Sequence, residues 1–386
     1  MALTAKGDPV DAVAAIVLAA GFSSRMGVFK PLLAFGQRTV TGHAAAVLRE
    51  AGVRHIHVVT GCQAELLALE LAVLEVTPVH NEKFAEGMFT SVQAGVASLP
   101  AGIEGFLLLP VDVPLIRAST VRRVLDKAAA TRAPIVHPVF RGERGHPPFI
   151  GRALFGEILE SDGEGGLRAV LARHEREAAS VAVFDRGCLM DMDRPGDYRR
   201  LVAALAHNRV PDAEECEAIL DVAAAPEPVR SHCRAVAALA ARLARQLNEA
   251  GVPLDVHLVR AAALVHDIAK GLPDHAEAGA VLVREFGFPG VADVVARHMS
   301  IDFDGRIDES AVVYLADKLI QGEALVRLET RFAPALERFA GDAGALAAAR
   351  RRYADAEAIL SAVESWIGPL ESQTGRAPLT KMGALA

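Results

Sequence analysis

The chain is poor in aromatic residues and in cysteine. Of its 386 residues, one is Trp, three are Tyr and four are Cys. The cysteines are widely spaced and form no CxxC pair; they are Cys62, Cys188, Cys216 and Cys233. A disulfide framework is therefore disfavoured, and we expect four reduced thiols in a cytoplasmic protein.

The sequence also lacks an excess of positive charge and a long apolar run. Its formal net charge is −7, which offers a nucleic-acid backbone no basic face to bind. No stretch approaches the roughly 20 apolar residues that cross a bilayer. The early run Ala12–Ala20 follows Asp8 and Asp11, whereas a secretory signal carries positive charge at that place. We therefore expect neither a nucleic-acid nor a membrane partner, and we interpret the run as a buried strand.

Length and patterning predict two domains of different class. In the first half, short apolar strands alternate with stretches of helical spacing. This alternation favours a Rossmann-like α/β fold, with a mostly parallel sheet and helices on both faces. The expected strands are Ala15–Leu18, His55–Val59, Glu75–Val79, Phe106–Leu109, Pro134–Pro138 and Ala179–Phe184, and the expected helices include Thr41–Ala51 and Cys62–Leu71.

The pattern becomes almost entirely helical after Pro211, which predicts an all-α second domain. The expected helices are Ile219–Ala223, Ser231–Ala250, Leu254–Ile268, Ala276–Phe286, Val291–His298 and Ser310–Ile320. We expect the first domain at residues 1–208, a linker or first helix at 209–225, the helical domain at 226–370 and a flexible tail at 371–386.

A glycine turn follows the first expected strand, in the string Leu18-Ala-Ala-Gly-Phe-Ser-Ser-Arg-Met-Gly-Val-Phe-Lys30. Where a strand ends in such a turn and leads into a helix, backbone N–H groups and the helix dipole bind phosphate oxygens. Gly21 lets the backbone approach a ligand closely. Hydroxyl donors and positive charge come from Ser23, Ser24, Arg25 and Lys30. The turn therefore predicts a nucleoside triphosphate site.

The full string resembles the signature of the nucleotidyltransferases related to molybdenum cofactor cytidylyltransferase, and the resemblance extends through most of the first domain. Segments similar to other motifs of this family begin at Asn81, Leu109, Arg144, Ser161 and Asp191. The resemblance implies catalytic roles for Arg25, Lys30 and Asp112. It implies a nucleotide site formed by Leu18, Ala19, Ala20, Gly21, Ser23, Ser24, Arg25, Lys30, Asn81 and Ser91.

Asp112 lies in Leu109-Pro-Val-Asp-Val-Pro-Leu, where a strand is expected to end at the crevice edge of the sheet. Nucleotidyl transfer requires charge neutralisation and in-line positioning more than a protein nucleophile. The carboxylate of Asp112 can hold Mg²⁺, which prefers oxygen ligands. The family likeness implies that Asp191 or Asp193 completes this metal site, and the sequence leaves the choice open.

In this family, Leu-Ala-Gly-Gly at the turn tends to accompany GTP, and Leu-Ala-Ala-Gly tends to accompany CTP. The turn here reads Leu18-Ala19-Ala20-Gly21, which implies CTP. The implied acceptor is molybdopterin with bound molybdenum, and the implied products are molybdopterin cytosine dinucleotide and pyrophosphate. A molybdenum hydroxylase would receive the product. Relatives that act on sugar or polyol phosphates leave a second class of acceptor open.

The second half carries His232, then His266-Asp267 in Leu-Val-His-Asp-Ile-Ala-Lys-Gly, then Asp317 in Leu-Ala-Asp-Lys-Leu. This order resembles the HD superfamily of metal-dependent phosphohydrolases and implies that the four residues bind metal. Adjacent His and Asp side chains project about 100° apart on a helix, so that both can reach one ion. Imidazole and carboxylate ligands suit Mn, Fe, Zn or Mg. Asp267 is the expected catalytic residue of this site.

In some HD subgroups, two further histidines between the His-Asp pair and the last Asp bind a second metal. His275 and His298 are the candidates here. Asp267 has two oxygens and could bridge two ions, which would activate a water and neutralise a leaving phosphate. The alternatives are that the two histidines contact phosphate or lie on helix surfaces.

The leading hypothesis is therefore a bifunctional enzyme: a Mg²⁺-dependent cytidylyltransferase joined to a metal-dependent phosphohydrolase of unspecified substrate. An alternative from another class is an HD half that binds nucleotide without hydrolysis and regulates. The presence of all four core ligands favours the enzyme.

Overall fold

The structure is a computed structural model that describes residues 12–370. The chain divides into two compact units, which meet in sequence at Asn208 and Arg209. The flexible tail expected at 371–386 lies outside the described residues. Within residues 12–370, no helix is both long enough and apolar enough to cross a membrane.

The first unit is built on a mixed sheet flanked by helices. Its strands are β1 (Val13–Leu18), β2 (Ala34–Phe35), β3 (Arg38–Thr39), β4 (His55–Thr60), β5 (Thr77–His80), β6 (Gly105–Pro110), β7 (Ile135–Phe140), β8 (Glu143–Arg144), β9 (Phe149–Gly151) and β10 (Ala179–Ala182). Its helices are α1 (Val40–Glu50), α2 (Ala64–Leu71), α3 (Met88–Ala97), α4 (Ala118–Thr131), α5 (Phe155–Glu160), α6 (Gly166–Arg173) and α7 (Pro195–Leu205). Every strand expected from the sequence overlaps an observed one, which confirms the α/β fold.

The strand order is β10-β7-β9-β6-β1-β4-β5, with β8 paired to β7. Strands β6, β1, β4 and β5 are mutually parallel, and β10 is parallel to β7. Strand β9 is antiparallel to both of its neighbours, and the sequence did not predict it. Its three residues are too few to show a periodic pattern, and they follow Pro147 and Pro148, which cannot donate to a ladder.

The topology brings the carboxyl ends of β1 and β6 side by side. Leu18, the last residue of β1, pairs with Pro110, the last residue of β6. Strand β1 is central and almost fully buried, because its alternate side chains pack against helices on both faces. Loops that leave this edge of the sheet are therefore held close together on a rigid base.

The second unit is helical. Its helices are α8 (Ala213–Val222), α9 (Glu227–Glu249), α10 (Val256–Val265), α11 (His275–Glu285), α12 (Pro289–Arg297), α13 (Glu309–Leu319), α14 (Leu328–Arg338) and α15 (Ala343–Ile367). A short hairpin of β11 (Ile320–Gln321) and β12 (Ala324–Leu325) follows α13. The six expected helices are present. Helices α14 and α15 were not among them, and α8 begins six residues earlier than expected. Helix α8 falls in segment 209–225 and packs against α10.

Helix α13 is the centre of the second unit. Every residue from Ser310 to Leu319 is buried, and the helix packs against α9, α10, α12, α14 and α15. Its first turn is capped by Asp308, whose side chain accepts a hydrogen bond from the N–H of Ala311 at 2.7 Å. A polar residue near the end of α13 is consequently held among several helices at once.

One glycine marks where α3 packs closely against the sheet. A Cβ at Gly95 would lie 2.6 Å from Cγ2 of Ile16, a β-branched side chain with little freedom to move. A Cβ at Gly156, which is also helical, would meet no atom within 4 Å. We expect Gly95→Ala to lower the free energy of unfolding of the first unit by about 1–3 kcal/mol. We expect Gly156→Ala to change it by less than about 1 kcal/mol.

Urea denaturation followed by far-UV circular dichroism measures this difference. The single tryptophan, Trp366, lies in α15, so its fluorescence reports the second unit and serves as an internal control. Equal stability of the two variants would contradict the close packing of α3 against β1.

Candidate functional sites

A cleft of about 380 Å³ opens at the carboxyl edge of β1 and β6. It is lined by nine of the ten residues that the sequence assigned to the nucleotide site, and also by Asp112; these nine are Leu18, Ala19, Ala20, Gly21, Ser23, Ser24, Arg25, Lys30 and Ser91. The structure therefore brings together segments that are far apart in the chain.

The turn after β1 presents its backbone to this cleft. Ser23 and Gly27 have positive φ angles of 53° and 74°, and the Lys30 N–H donates to Ser23 Oγ at 3.1 Å. Within the described chain, the backbone N–H groups of residues 21–25 have no assigned protein acceptor. They are available to a ligand, as a nest of amides that binds an anion requires.

One expectation about the turn was wrong. The sequence predicted that the turn leads directly into a helix whose dipole adds to the site. It leads instead into a single turn of 3₁₀ helix at Lys30–Leu32, and the first α-helix begins only at Val40, after the β2–β3 hairpin. The left-handed residues Ser23 and Gly27 bend the chain away from helical geometry. Main-chain amides and side-chain cations supply the positive potential here, without an α-helix dipole.

Lys30 lies at the centre of the charged groups in the cleft. Its Nζ is 3.2 Å from Oδ2 of Asp112 and 3.0 Å from Oδ1 of Asp193, and its side chain is only 9% exposed. Arg25 Nη1 lies 2.6 Å from the other oxygen of Asp193. The hydrogen bond from Lys30 is the main reason that the pKa of Asp193 is lowered. Asp193 is therefore ionised and faces Asp112 across an ammonium group.

The structure distinguishes between the two aspartates that the sequence left open. Asp193 lines the cleft, whereas Asp191 is exposed and is not among the lining residues. Between them, Met192 is buried, and its N–H donates to the carbonyl oxygen of Asp112 at 2.8 Å. That bond ties the segment to the end of β6 and places Asp193, not Asp191, in the cleft with Asp112.

Asn81 is behind the cleft wall. Its Nδ2 donates to the hydroxyl oxygens of Thr90 and Ser91, both at 2.9 Å. Its Oδ1 accepts from the N–H of Lys83 at 3.0 Å. With these partners, Asn81 positions Ser91, which lines the cleft, and is not itself a lining residue. The resemblance had implied that Asn81 belongs to the nucleotide site directly.

Sequence reasoning missed two aromatic residues of the cleft. Phe22 and Phe84 both line it, and their ring centroids lie 5.3 Å apart at 51°. Phe22 is 58% exposed. The sequence feature that could have identified Phe22 is its position directly after Gly21 in a chain with few aromatic residues. Exposed aromatic faces offer stacking surface to a planar ligand.

The second unit brings all six expected metal ligands together. They form two groups whose ligand atoms lie within 4.8 Å of one another: His232, His266 and Asp317 in the first, and Asp267, His275 and His298 in the second. The two groups meet at Asp267. Its Oδ1 is 3.3 Å from His275 Nε2 and 3.6 Å from His298 Nε2. Its Oδ2 is 3.6 Å from His266 Nε2.

Three of the histidines are oriented by backbone carbonyls. The Nδ1 atoms of His232, His266 and His298 lie 2.9, 2.8 and 2.7 Å from the carbonyl oxygens of Gly322, Ala263 and Val295. A carbonyl can only accept, so each Nδ1 donates to its carbonyl, and each Nε2 is the ring atom directed toward the other candidate ligands; His232 Nε2 lies 3.0 Å from Asp317 Oδ1, and His298 Nε2 lies 3.2 Å from His275 Nε2. This is the outer arrangement that metal-binding histidines usually have. His266 Nε2 is buried without a hydrogen-bond partner in the described residues.

Local helix ends explain two of these orientations. His266 directly follows α10, and His298 directly follows α12. In both cases the acceptor is the carbonyl three residues earlier, in the last helical turn, where backbone carbonyls have no partner within the helix. The His-Asp pair therefore lies just after a helix and not within one, as the expected range Leu254–Ile268 had implied. His298 is only 1% exposed, so it does not lie on a helix surface.

Two lysines balance the charge of the two aspartates. Lys318 Nζ is 2.6 Å from Asp317 Oδ2 and donates to the carbonyl of His298 at 3.0 Å. Lys270 forms an ion pair with Asp267. Burial by itself raises the pKa of Asp317, but the Lys318 charge and the hydrogen bond from His232 hold that pKa well below its usual value. Burial likewise raises the pKa of Asp267, but His298 and the charge of Lys270 beside this carboxylate lower it below its usual value. Both carboxylates are ionised, as metal binding requires.

Comparisons with known proteins divide the chain in the same way. Residues 15–178 match the family described as MobA-like NTP transferase domain, and residues 229–321 match the HD domain. Both families are enzymes.

Named relatives cover the first unit. Molybdenum cofactor cytidylyltransferase of Escherichia coli is 26% identical over 190 residues, 49% of this chain and 95% of that protein. Molybdenum cofactor guanylyltransferase of Xanthomonas euvesicatoria is 34% identical over 194 residues, 48% of this chain and 93% of that protein. The solved structure of Rv0371c from Mycobacterium tuberculosis is 30% identical, with a TM-score of 0.45, and it covers 50% of this chain and 97% of its own.

The two aspartates beside Met192 form a matched pair for a test of the first site. We expect Asp193→Asn to weaken the binding of a Mg²⁺–nucleoside triphosphate by about 10- to 100-fold, because a metal-facing carboxylate is lost. Asp191→Asn removes the same charge from an exposed position, and we expect affinity within about twofold of the unaltered protein. Isothermal titration calorimetry with and without Mg²⁺ measures both. Equal loss in the two variants would contradict the assignment of Asp193.

Proposed function

Because the chain belongs to the MobA-like NTP transferases and carries an HD domain in its second unit, we propose a bifunctional enzyme. Its first unit transfers CMP from CTP to molybdopterin that bears molybdenum, with release of pyrophosphate. Its second unit hydrolyses a phosphate bond with the help of two divalent metal ions. The observation that carries the first part is the cleft in which free amides, Lys30 and two carboxylates face one another.

The charged groups of the cleft suit a triphosphate. The amides of residues 21–25 and the cations of Arg25 and Lys30 bind its oxygens and neutralise their charge. Asp112 and Asp193 are two oxygen ligands on one side of the cleft, which fits the usual protein share of a Mg²⁺ site that is completed by substrate phosphates. When bound there, Mg²⁺ supplies charge neutralisation at the reacting phosphorus. The residues of this chain hold the nucleotide and keep it aligned for attack by the acceptor phosphate.

The choice of CTP rests on Ala20. Its side chain lines the cleft and is 5% exposed. A Cβ at Gly61 would lie 3.0 Å from the Ala20 methyl and 2.5 Å from Phe84. The part of the cleft beside Ala20 and Gly61 is therefore already filled by side chains. A smaller residue at position 20 would leave more room for a base, which supports a pyrimidine over a purine. A relative named as a cytidylyltransferase and one named as a guanylyltransferase both match the chain. Their percentages of sequence identity do not decide between CTP and GTP.

The acceptor is proposed from the names of the relatives, two of which act in molybdenum cofactor synthesis. A molybdenum hydroxylase is the implied recipient of the product. A sugar or polyol phosphate is the second candidate, because the reaction chemistry requires only an acceptor phosphate.

The second unit suits phosphate hydrolysis. Four histidines and two aspartates supply nitrogen and oxygen ligands, a set suited to Mn, Fe or Zn and tolerant of Mg. Divalent ions bound there lower the pKa of a water and neutralise a leaving phosphate. Asp267 presents one oxygen to each group of ligands, which supports two ions over one. Lys270 is half-exposed beside Asp267, where its ammonium can meet a substrate phosphate.

Purified full-length protein, assayed with CTP and GTP and with molybdopterin as acceptor, tests the nucleotide. We expect turnover with CTP, and we expect Ala20→Gly to shift the ratio of kcat/KM values toward GTP by about 10-fold, the usual effect of one methyl group in a pocket. Ala19→Gly is the matched control and should not shift the ratio. Turnover of GTP but not CTP by the unaltered protein would refute the assignment. Turnover of sugar phosphates but not molybdopterin would favour the second acceptor class.

Metal analysis tests the second site. In an Asp112→Asn background, which weakens the first site, we expect two equivalents of Mn²⁺ to remain per chain after gel filtration. His298→Gln should lower this to one and abolish hydrolysis of phosphate esters, because each ion needs its full ligand group. His257→Gln, an exposed change on α10, should alter neither. One ion or none in the background protein would contradict the two-metal site. Two ions without hydrolysis of any nucleotide or phosphate ester would favour a regulatory HD unit.

A further inference from the structure

Phe22 is a large aromatic side chain that the first unit leaves in water at the cleft. The chain has 15 phenylalanines, all within the described residues, and Phe22 is the only one that is exposed, at 58%. The removal of an apolar ring of this size from water is favourable. The groups assigned to phosphate and Mg²⁺ binding do not include it. Its exposure at the cleft therefore indicates a surface that a ligand covers.

The turn that carries Phe22 also carries the amides that suit phosphate. Phe22 follows Gly21, and its own N–H is among the backbone donors of residues 21–25 that have no assigned acceptor within the described chain. A Cβ at Gly21 would meet no atom within 4 Å, so the space beside this residue is open. A nucleotide whose phosphates bind these amides would therefore lie within reach of the Phe22 ring.

Phe84 connects the Phe22 ring to the part of the cleft proposed for the base. The two ring centroids lie 5.3 Å apart. Phe84 is partly buried and packs against the hydrophobic core of the first unit, so it is a fixed part of the wall. It also lies beside Ala20, because a Cβ at Gly61 would approach both residues, at 2.5 Å and 3.0 Å. Ala20 is the residue proposed to limit the size of the base, and the aromatic pair adjoins it.

We propose that Phe22 stacks on the base of the bound nucleotide, with Phe84 supporting its ring from the wall of the cleft. Every base has a π-face, so stacking adds affinity without a choice between bases. Phe22 and Ala20 therefore have separate roles: the first increases the affinity for a nucleotide, and the second selects among nucleotides. The inference rests on the proposed nucleotidyl transfer and adds a binding residue to that site.

CTP, GTP and tripolyphosphate, each with Mg²⁺, are the matched probes, because tripolyphosphate has the phosphates without a base. Isothermal titration calorimetry on the full chain measures their binding. Phe22→Leu keeps an apolar side chain but removes the aromatic face. It should weaken the binding of CTP and GTP by about 10-fold each and leave tripolyphosphate within about twofold. Phe22→Trp keeps an aromatic face and should retain the binding of both nucleotides.

Val28→Ala is the control, because Val28 is an exposed apolar residue a few positions further along and is not among the lining residues of the cleft. It should change the binding of none of the three probes. Nucleotide binding that is unchanged in Phe22→Leu, or tripolyphosphate binding that falls equally, would overturn the stacking role and leave the proposed transfer intact. The absence of nucleotide binding to the unaltered protein would overturn both.

Discussion

Carboxylates that face one another in a confined space require a neighbouring positive charge, and both candidate sites show that pairing. In the first unit, one ammonium, Lys30, stands between Asp112 and Asp193. In the second, Lys318 and Lys270 each hold one of the two buried aspartates. In each case a lysine offsets the repulsion between neighbouring carboxylates, so that acidic groups from distant parts of the chain lie together.

The sequence predicted the fold class where the pattern is long and regular. Alternation of short apolar strands with helices indicated the α/β unit, and sustained helical spacing indicated the second unit. Strand β9 was not predicted because three residues are too few to show a periodic pattern. Helices α14 and α15 were missed although they are long: α14 contains Pro334, and α15 is rich in alanine on all faces, which blurs the apolar stripe that identifies a helix.

The parts of the two sites that the sequence predicted are those in which the residue types themselves indicate the chemistry, as in the glycine turn and the His-Asp pair. Family resemblance supplied the metal ligands, and their convergence was visible only in the structure. The sequence could not choose between Asp191 and Asp193, because the choice depends on a backbone hydrogen bond between Met192 and Asp112. It also could not show that Asn81 orients Ser91 by a hydrogen bond. An Asn that contacts a ligand and an Asn that orients a neighbouring side chain cannot be distinguished from the sequence alone.

Three helices of the second unit end at the candidate metal site. His266 follows α10, His298 follows α12, and Asp317 is in the last turn of α13. The carboxyl end of a helix carries about half a negative charge, so the three ends add to the charge of the two aspartates. The fold therefore gives this candidate site a negative potential that favours divalent cations over anions, with Lys270 as a half-exposed positive charge beside Asp267.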